Sequence, residues 1–168
     1  MILTPDEKRS FEGPYRTVTV SGPLSLFRLC GRTAAGEANN PYGRFWFNSN
    51  FFWKMVDVLS DRSTNSSELN HYLRYLLREF TAVCSDWNNF ASIHELSLPA
   101  GAKLEAIVGR IHPQPFHSPS DPHRRRPLPH EVLVGGEFQY IVDLASNPTA
   151  RTGVSGPRPL WVHRGGNA

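Results

Sequence analysis

The spacing of apolar and polar positions divides the chain into three stretches with different periods. From Thr17 to Asn48 the apolar residues fall in short runs bounded by turn formers. Thr17 to Val20 stops at Ser21-Gly22-Pro23, Leu24 to Cys30 stops at Gly31, and the aromatic run Arg44 to Asn48 follows a loop at 31–43 rich in glycine and asparagine. Runs of this length and composition predict strands. After Ser49 the period lengthens: Phe52, Met55, Val56 and Leu59 recur at steps of three and four. So do Leu69, Tyr72, Leu73, Leu76, Leu77 and Phe80, which predicts two amphipathic helices, the second capped by Asn65 with Glu68 three residues on. From Ser92 strand-sized runs return at Ile93 to Leu98, Lys103 to Ile111, Glu131 to Val134 and Phe138 to Leu144, and Pro159 to Arg164 is read as a terminal strand.

Strands, then two helices, then strands again is an α+β order and not a run of alternating βαβ units. A length of 168 residues fits one domain. The expected organisation is an arm at 1–16, a folded domain over 17–148 and a tail at 149–168. Residues 112–131 are rich in proline and histidine and include Arg124-Arg125-Arg126, so an exposed basic loop is expected there.

Composition narrows the class. A chain that is 39% hydrophobic and 20% charged folds as a soluble domain, and 14 prolines with 13 glycines announce long loops. The N-terminus lacks the apolar core of a signal peptide, and no stretch of about eighteen apolar residues suggests a membrane span. Cys30 and Cys84 form no CxxC pair, so zinc-ribbon and redox motifs are excluded and a structural disulfide is not expected. His117, His123 and His130 match no common metal spacing, and no metal is expected. The net charge of +3 sits largely in Arg124 to Arg126, Arg151, Arg158 and Arg164, a distribution that suits a phosphate-bearing ligand or nucleic acid and equally a solvated loop. Neither a GxGxxG nor a Walker sequence is present.

The most informative segment is Gly135-Gly136-Glu137-Phe138-Gln139-Tyr140. Side chains two apart on a strand share a face, so Glu137 and Gln139 are expected to project together beside glycines that allow close approach of a ligand. Upstream, Arg28 and Arg44 place cations in apolar extended runs, where a charge requires a partner. A buried carboxylate such as Glu95 or Glu105 is one candidate for Arg28 and a ligand is another. Phe45, Trp46 and Phe47 offer either plain core or an aromatic wall.

In this arrangement the chain resembles the ADP-ribosyltransferase-like superfamily, whose signature is an Arg on the first core strand, an aromatic and Ser or Thr segment on the second, and a Glu or Gln on a later strand. The pattern is closest to that of the tuberculosis necrotizing toxin type of NAD glycohydrolase domain. The matching residues are Phe27, Arg28 and Gly31, then Gly43, Phe45 or Phe47 and Ser49, then Gly109, Ile111 and Pro113, then Gly135, Gln139 and Tyr140. The likeness covers roughly 24–49 and 97–144 and implies two small packed sheets around an NAD cleft, with helices on one side. It implies Gln139, Glu137 and Arg28 as the catalytic group. Arg28, Gly31, Arg44, Phe45, Trp46 and Phe47 would hold the dinucleotide, with Ser49 or Asn48 near the ribose and His112, Gln114 and Gly136 lining the cleft.

The implied reaction is cleavage of the nicotinamide to ribose bond of NAD or NADP, with water as acceptor. The Glu-x-Gln order, where protein-modifying transferases show Gln-x-Glu or Glu-x-Glu, favours hydrolysis. Two alternatives stand beside it. One is a mono-ADP-ribosyltransferase using Glu137, with residues 115–131 recognising a protein or nucleic-acid acceptor; the other is a non-catalytic binding module. The resemblance further implies a bacterial toxin or effector delivered by a secretion system, active in the cytoplasm of the producing or target cell and countered by an immunity protein.

Overall fold

The computed structural model describes residues 1–33, 35–60, 66–84, 87–115 and 132–160. The chain opens with helix α1 (Pro5–Arg9), whose start is set by local chemistry. The Thr4 hydroxyl accepts from the Glu7 N–H and the Glu7 carboxylate accepts from the Thr4 N–H, a reciprocal capping box with proline at the first helical position. Leu3 and Phe11, on either side of this helix, bury against Ile107 and Ile141. The expected arm is therefore a docked segment, since two large apolar side chains bracketing a capped turn gain more by burial than by exposure.

Strands β1 (Arg16–Ser21), β2 (Leu24–Cys30) and β3 (Phe45–Asn48) follow, then helices α2 (Ser49–Ser60) and α3 (Ser66–Thr81). Strands β4 (Ser92–Leu98) and β5 (Lys103–Arg110) come next, with the short pieces β6 (Gln114–Pro115) and β7 (Val132–Leu133), then β8 (Phe138–Val142). Helix α4 (Pro148–Thr152), capped by the Asn147 side chain, and β9 (Val154–Pro159) complete the described chain.

Seven strands form one antiparallel sheet in the order β1-β5-β8-β3-β2-β4-β9, and β6 pairs with β7 as a separate ribbon. The two packed sheets implied by the resemblance are thus a single sheet, bent on itself. On one face Leu26, Trp46 and Leu96 form one buried cluster with Leu104, Ala106 and Val142, while Val18 of β1 and Val154 of β9 pack against it from opposite edges. Apart from the short α4, no helix among the described residues covers this face, so its buried side chains are shielded by the curl of the sheet itself. The other face is covered by α2 and α3, whose Phe52, Val56, Leu69, Leu73 and Leu77 meet Phe27, Leu29 and Phe47. Burial on both faces explains why β2 and β3 read as nearly continuous apolar runs.

The helical stripes lie where the period places them, except that Tyr72 is 48% exposed. It stands beside Leu73 at the margin of the stripe, and Leu73 takes the core position with no exposure. The described part of the tail forms α4 and β9, which starts five residues before the expected strand at 159–164, and residues 161–164 lie outside the described residues. The Asn65 cap, Arg124 to Arg126 and His117, His123 and His130 lie outside the described residues. Among the described residues no helix is long and apolar enough to cross a membrane, and no cluster of His, Cys, Asp and Glu is arranged to hold a metal.

Candidate functional site

A cavity of about 570 Å³ opens where β2, β3 and β8 lie side by side. Its volume is within the usual range of small-molecule sites. On the sheet side it is lined by Arg28 and Leu29 of β2, Phe45 and Phe47 of β3 and Gln139 of β8. The register explains the common face of Leu29, Phe45, Phe47 and Gln139, since Phe47 pairs with Gln139 and with Phe27, two residues from Leu29, and Phe45 pairs with Ile141. Arg28 alternates with Leu29 and leaves β2 from the other face, beside Cys30 and His94, bonding the Phe45 carbonyl beyond the last β2–β3 pair. Trp46 points to the other face. It is fully buried and its Nε1 donates to the Gly43 carbonyl at 2.8 Å, so it belongs to the core and does not form the expected wall.

Gln139 is 5% exposed, and its Nε2 donates to the Ser10 hydroxyl at 3.0 Å. Arg28 is held differently from a free phosphate fork. Its Nε donates to the Asn40 carbonyl at 3.0 Å and its Nη1 to the Phe45 carbonyl at 2.9 Å, while Gly43 lies against the guanidinium so closely that a Cβ there would sit 2.2 Å from Nη2. The arginine therefore pins the 31–44 loop to the sheet. Glu95 pairs instead with Arg158 and Glu105 with the N-terminal amine, and among the described residues no carboxylate pairs with Arg28. Its charge is nonetheless drawn from water: burial lowers its pKa, with the neighbouring Cys30 opposing the shift. Burial likewise raises the pKa of Cys30 against the pull of Arg28, and lowers that of His94, which Arg28 lowers further.

The remaining expected site residues lie elsewhere. Glu137 precedes β8 and does not line the cavity; its carbonyl accepts from the Ile111 N–H at 2.9 Å. Arg44 is spent on Glu7, 3.0 Å away, and on the Ile2 carbonyl. Ser49 is buried at the start of α2, 3.0 Å from the Ser25 hydroxyl, in a network with Glu95 and Arg158. Gly31 packs against Asn88 and Asn89, and His112 is exposed with its Nδ1 2.7 Å from the Pro113 carbonyl. Gly136 takes φ +87° in the turn before β8 and stands outside the lining, whereas Gln114 is part of it.

Other walls come from segments the strand pattern did not nominate. Asp6, Arg9 and Ser10 arrive from α1 and its end, with Arg9 ion-paired to Asp6. Asn39 donates from Nδ2 to the Trp87 carbonyl at 3.2 Å, and its Oδ1 is buried with no partner among the described residues. Thr81, Ala82, Val83, Trp87 and Asn88 form the opposite side. This connection begins and ends on residues in the left-handed region, Ala82 at φ 47° and Phe90 at φ 53°, a strain that persists only where the surroundings impose it. Arg78 does so by donating to the Val83 and Asn88 carbonyls, each at 2.8 Å, while its guanidinium lies 4.3 Å over the Phe90 ring. The Thr4-x-x-Glu7 capping box was the available signal for the first of these segments; no periodicity marks the second.

The cavity thus combines two aromatic rings, a desolvated cation and a buried amide, a set suited to a ligand with a planar ring, an anionic group and a centre that develops positive charge. No family model matches the chain, and neither does a curated protein or a solved structure.

Proposed function

We propose that this cavity binds NAD or NADP and hydrolyses the bond between nicotinamide and ribose. The observation that carries the reading is the meeting, on three neighbouring strands, of Arg28, Phe45 with Phe47, and Gln139 around one cavity. A buried guanidinium with no carboxylate partner among the described residues is stabilised by an anionic ligand, and a pyrophosphate supplies one. The phenylalanine faces attract a cationic pyridinium ring. As the ribose to nitrogen bond stretches, positive charge grows on the sugar, and a side-chain amide oxygen turned toward it stabilises that charge. Water then bonds to the anomeric carbon, the bonding pair leaves with the nicotinamide nitrogen, and the proton passes to solvent.

Glu137, outside the cavity lining, leaves Gln139 as the group nearest the chemistry, which supports hydrolysis over transfer to a macromolecule. The test is release of free nicotinamide from NAD by the purified protein, alone and with cell lysate. Release without lysate that disappears in Gln139→Ala and persists in Glu137→Ala is the expected result. Absence of release under both conditions overturns the enzymatic reading, and lysate-dependent label transfer lost in Glu137→Ala replaces it with a transferase.

A further inference from the structure

We propose that Ser10 is a positioning residue of the cavity, setting which end of the Gln139 amide faces the bound ligand. The chemistry assigned to Gln139 rests on the reading above; the orientation rests on hydrogen bonding alone.

A side-chain amide is nearly symmetric in shape but opposite in charge at its two ends, and only the carbonyl end stabilises a forming cation. What decides the orientation is the single proton of the Ser10 hydroxyl. That proton goes to the Glu7 carbonyl oxygen, 2.7 Å away, because a carbonyl has none to offer in return. The Ser10 oxygen is left as an acceptor, and it lies 3.0 Å from the Gln139 amide. The NH₂ end satisfies it, whereas the reversed amide would set two acceptors against each other in a buried place. Oε1 is therefore turned away from Ser10 and remains for the ligand.

The chain of contacts behind Ser10 is rigid for stated reasons. The Glu7 carbonyl belongs to α1, which is capped at Thr4 and tied to the sheet by the ion pair from Glu7 to Arg44. The Ser10 carbonyl accepts from the His112 N–H at 2.8 Å, and Phe11 bridges to Ile111. A segment that reads as an appendage thus holds the working group of a strand 129 residues away.

Two measurements test this. In the ligand-free protein, the side-chain amide resonances of Gln139, identified by their loss in Gln139→Ala, are expected to be protected from hydrogen exchange. They should lose that protection in Ser10→Ala and regain it in Ser10→Thr. In turnover, Ser10→Ala is expected to lower kcat about tenfold with KM changed less than about twofold, and Ser10→Thr to restore it. Unaltered exchange in Ser10→Ala, or a rise in KM with kcat intact, overturns the proposal. If Ser10→Ala does not fold, Ser10→Cys, a poor hydrogen-bonding substitute of similar shape, carries the same comparison against Ser10→Thr. If the wild type releases no nicotinamide, the proposed function falls and the amide exchange alone decides the role of Ser10.

Discussion

Replacing Arg28 by methionine separates its two tasks. The substitution keeps most of the side-chain volume and removes the guanidinium, which now donates to the Asn40 and Phe45 carbonyls at 3.0 and 2.9 Å. Each bond from a charged donor contributes roughly 1.5–3 kcal/mol. The loss is only partial, because the Asn40 contact is at the exposed end and water can replace it. Removing a desolvated cation with no carboxylate partner among the described residues also returns part of its burial penalty. What stays uncompensated is the partly buried Phe45 carbonyl, at about 1–3 kcal/mol. For a chain of this size that lowers Tm by roughly 2–12 °C. If the guanidinium also holds a phosphate, a lost charge-assisted bond weakens the dinucleotide roughly 10- to 150-fold. Urea or thermal unfolding reads the first effect, and KM for nicotinamide release or calorimetric titration with ADP-ribose reads the second. A folded Arg28→Met protein with unchanged ligand affinity would show that this arginine is a loop fastener and would refute the anion-site reasoning.

Three further outcomes are expected. Gly135 has φ +64°, and a Cβ there would meet the Ile111 carbonyl oxygen at 2.7 Å, whereas Gly136 at φ +87° faces open space. Gly135→Ala should therefore destabilise by more than the roughly 1–2 kcal/mol of backbone strain expected for Gly136→Ala, and equal urea midpoints for the two would contradict it. Leu73→Ala, at a site with no exposure, should cost about 2–5 kcal/mol, while Tyr72→Ala, at 48% exposure, should lie within about 1 kcal/mol of wild type; similar losses would mean the helix face is misassigned. His94 titrates below its ordinary value because of burial and then Arg28. The unfolded chain takes up that proton as pH falls through about 6.5 while the fold resists. Stability is then complete above that pH and declines below it until the folded pKa is reached, and His94→Gln should flatten this part of the urea-midpoint profile. An unchanged slope would sink the assignment.

Much of the scaffold was readable because its cause is local. Phe52, Val56 and Leu59 mark one helix and Leu69, Leu73 and Leu77 the other, since a period near 3.6 puts them on one face whatever they pack against. The runs ending at Gly31, Pro99 and Gly135 became β2, β4 and β7 for the same kind of reason. The nomination of Arg28, Phe45, Phe47, Gln114 and Gln139 placed five residues on one cavity. Trp46 shows the limit, because alternation says that it faces away from Phe45 and Phe47 but not which face is the core and which the cavity.

The two-residue spacing of Glu137 and Gln139 predicts a pair on one strand face, yet only Gln139 lines the cavity. Backbone pairing does not separate the two, since the bond from the Ile111 N–H to the Glu137 carbonyl carries the β5–β8 register on to Glu137; what packs beside each position does, and Ser10 docks on Gln139. Ser10, Asn39 and Trp87 carry no period at all and meet the strands only through docking of segments distant in sequence. The sequence by itself determined which segments become strands and helices and which residue types the sheet would offer, because periodicity and turn chemistry act over a few residues. The tertiary structure alone decided that β2, β3 and β8 are neighbours, that one sheet bends where two were expected, and that an N-terminal turn reaches Gln139. Those outcomes depend on burial and hydrogen bonding between residues far apart along the chain, for which local pattern holds no record.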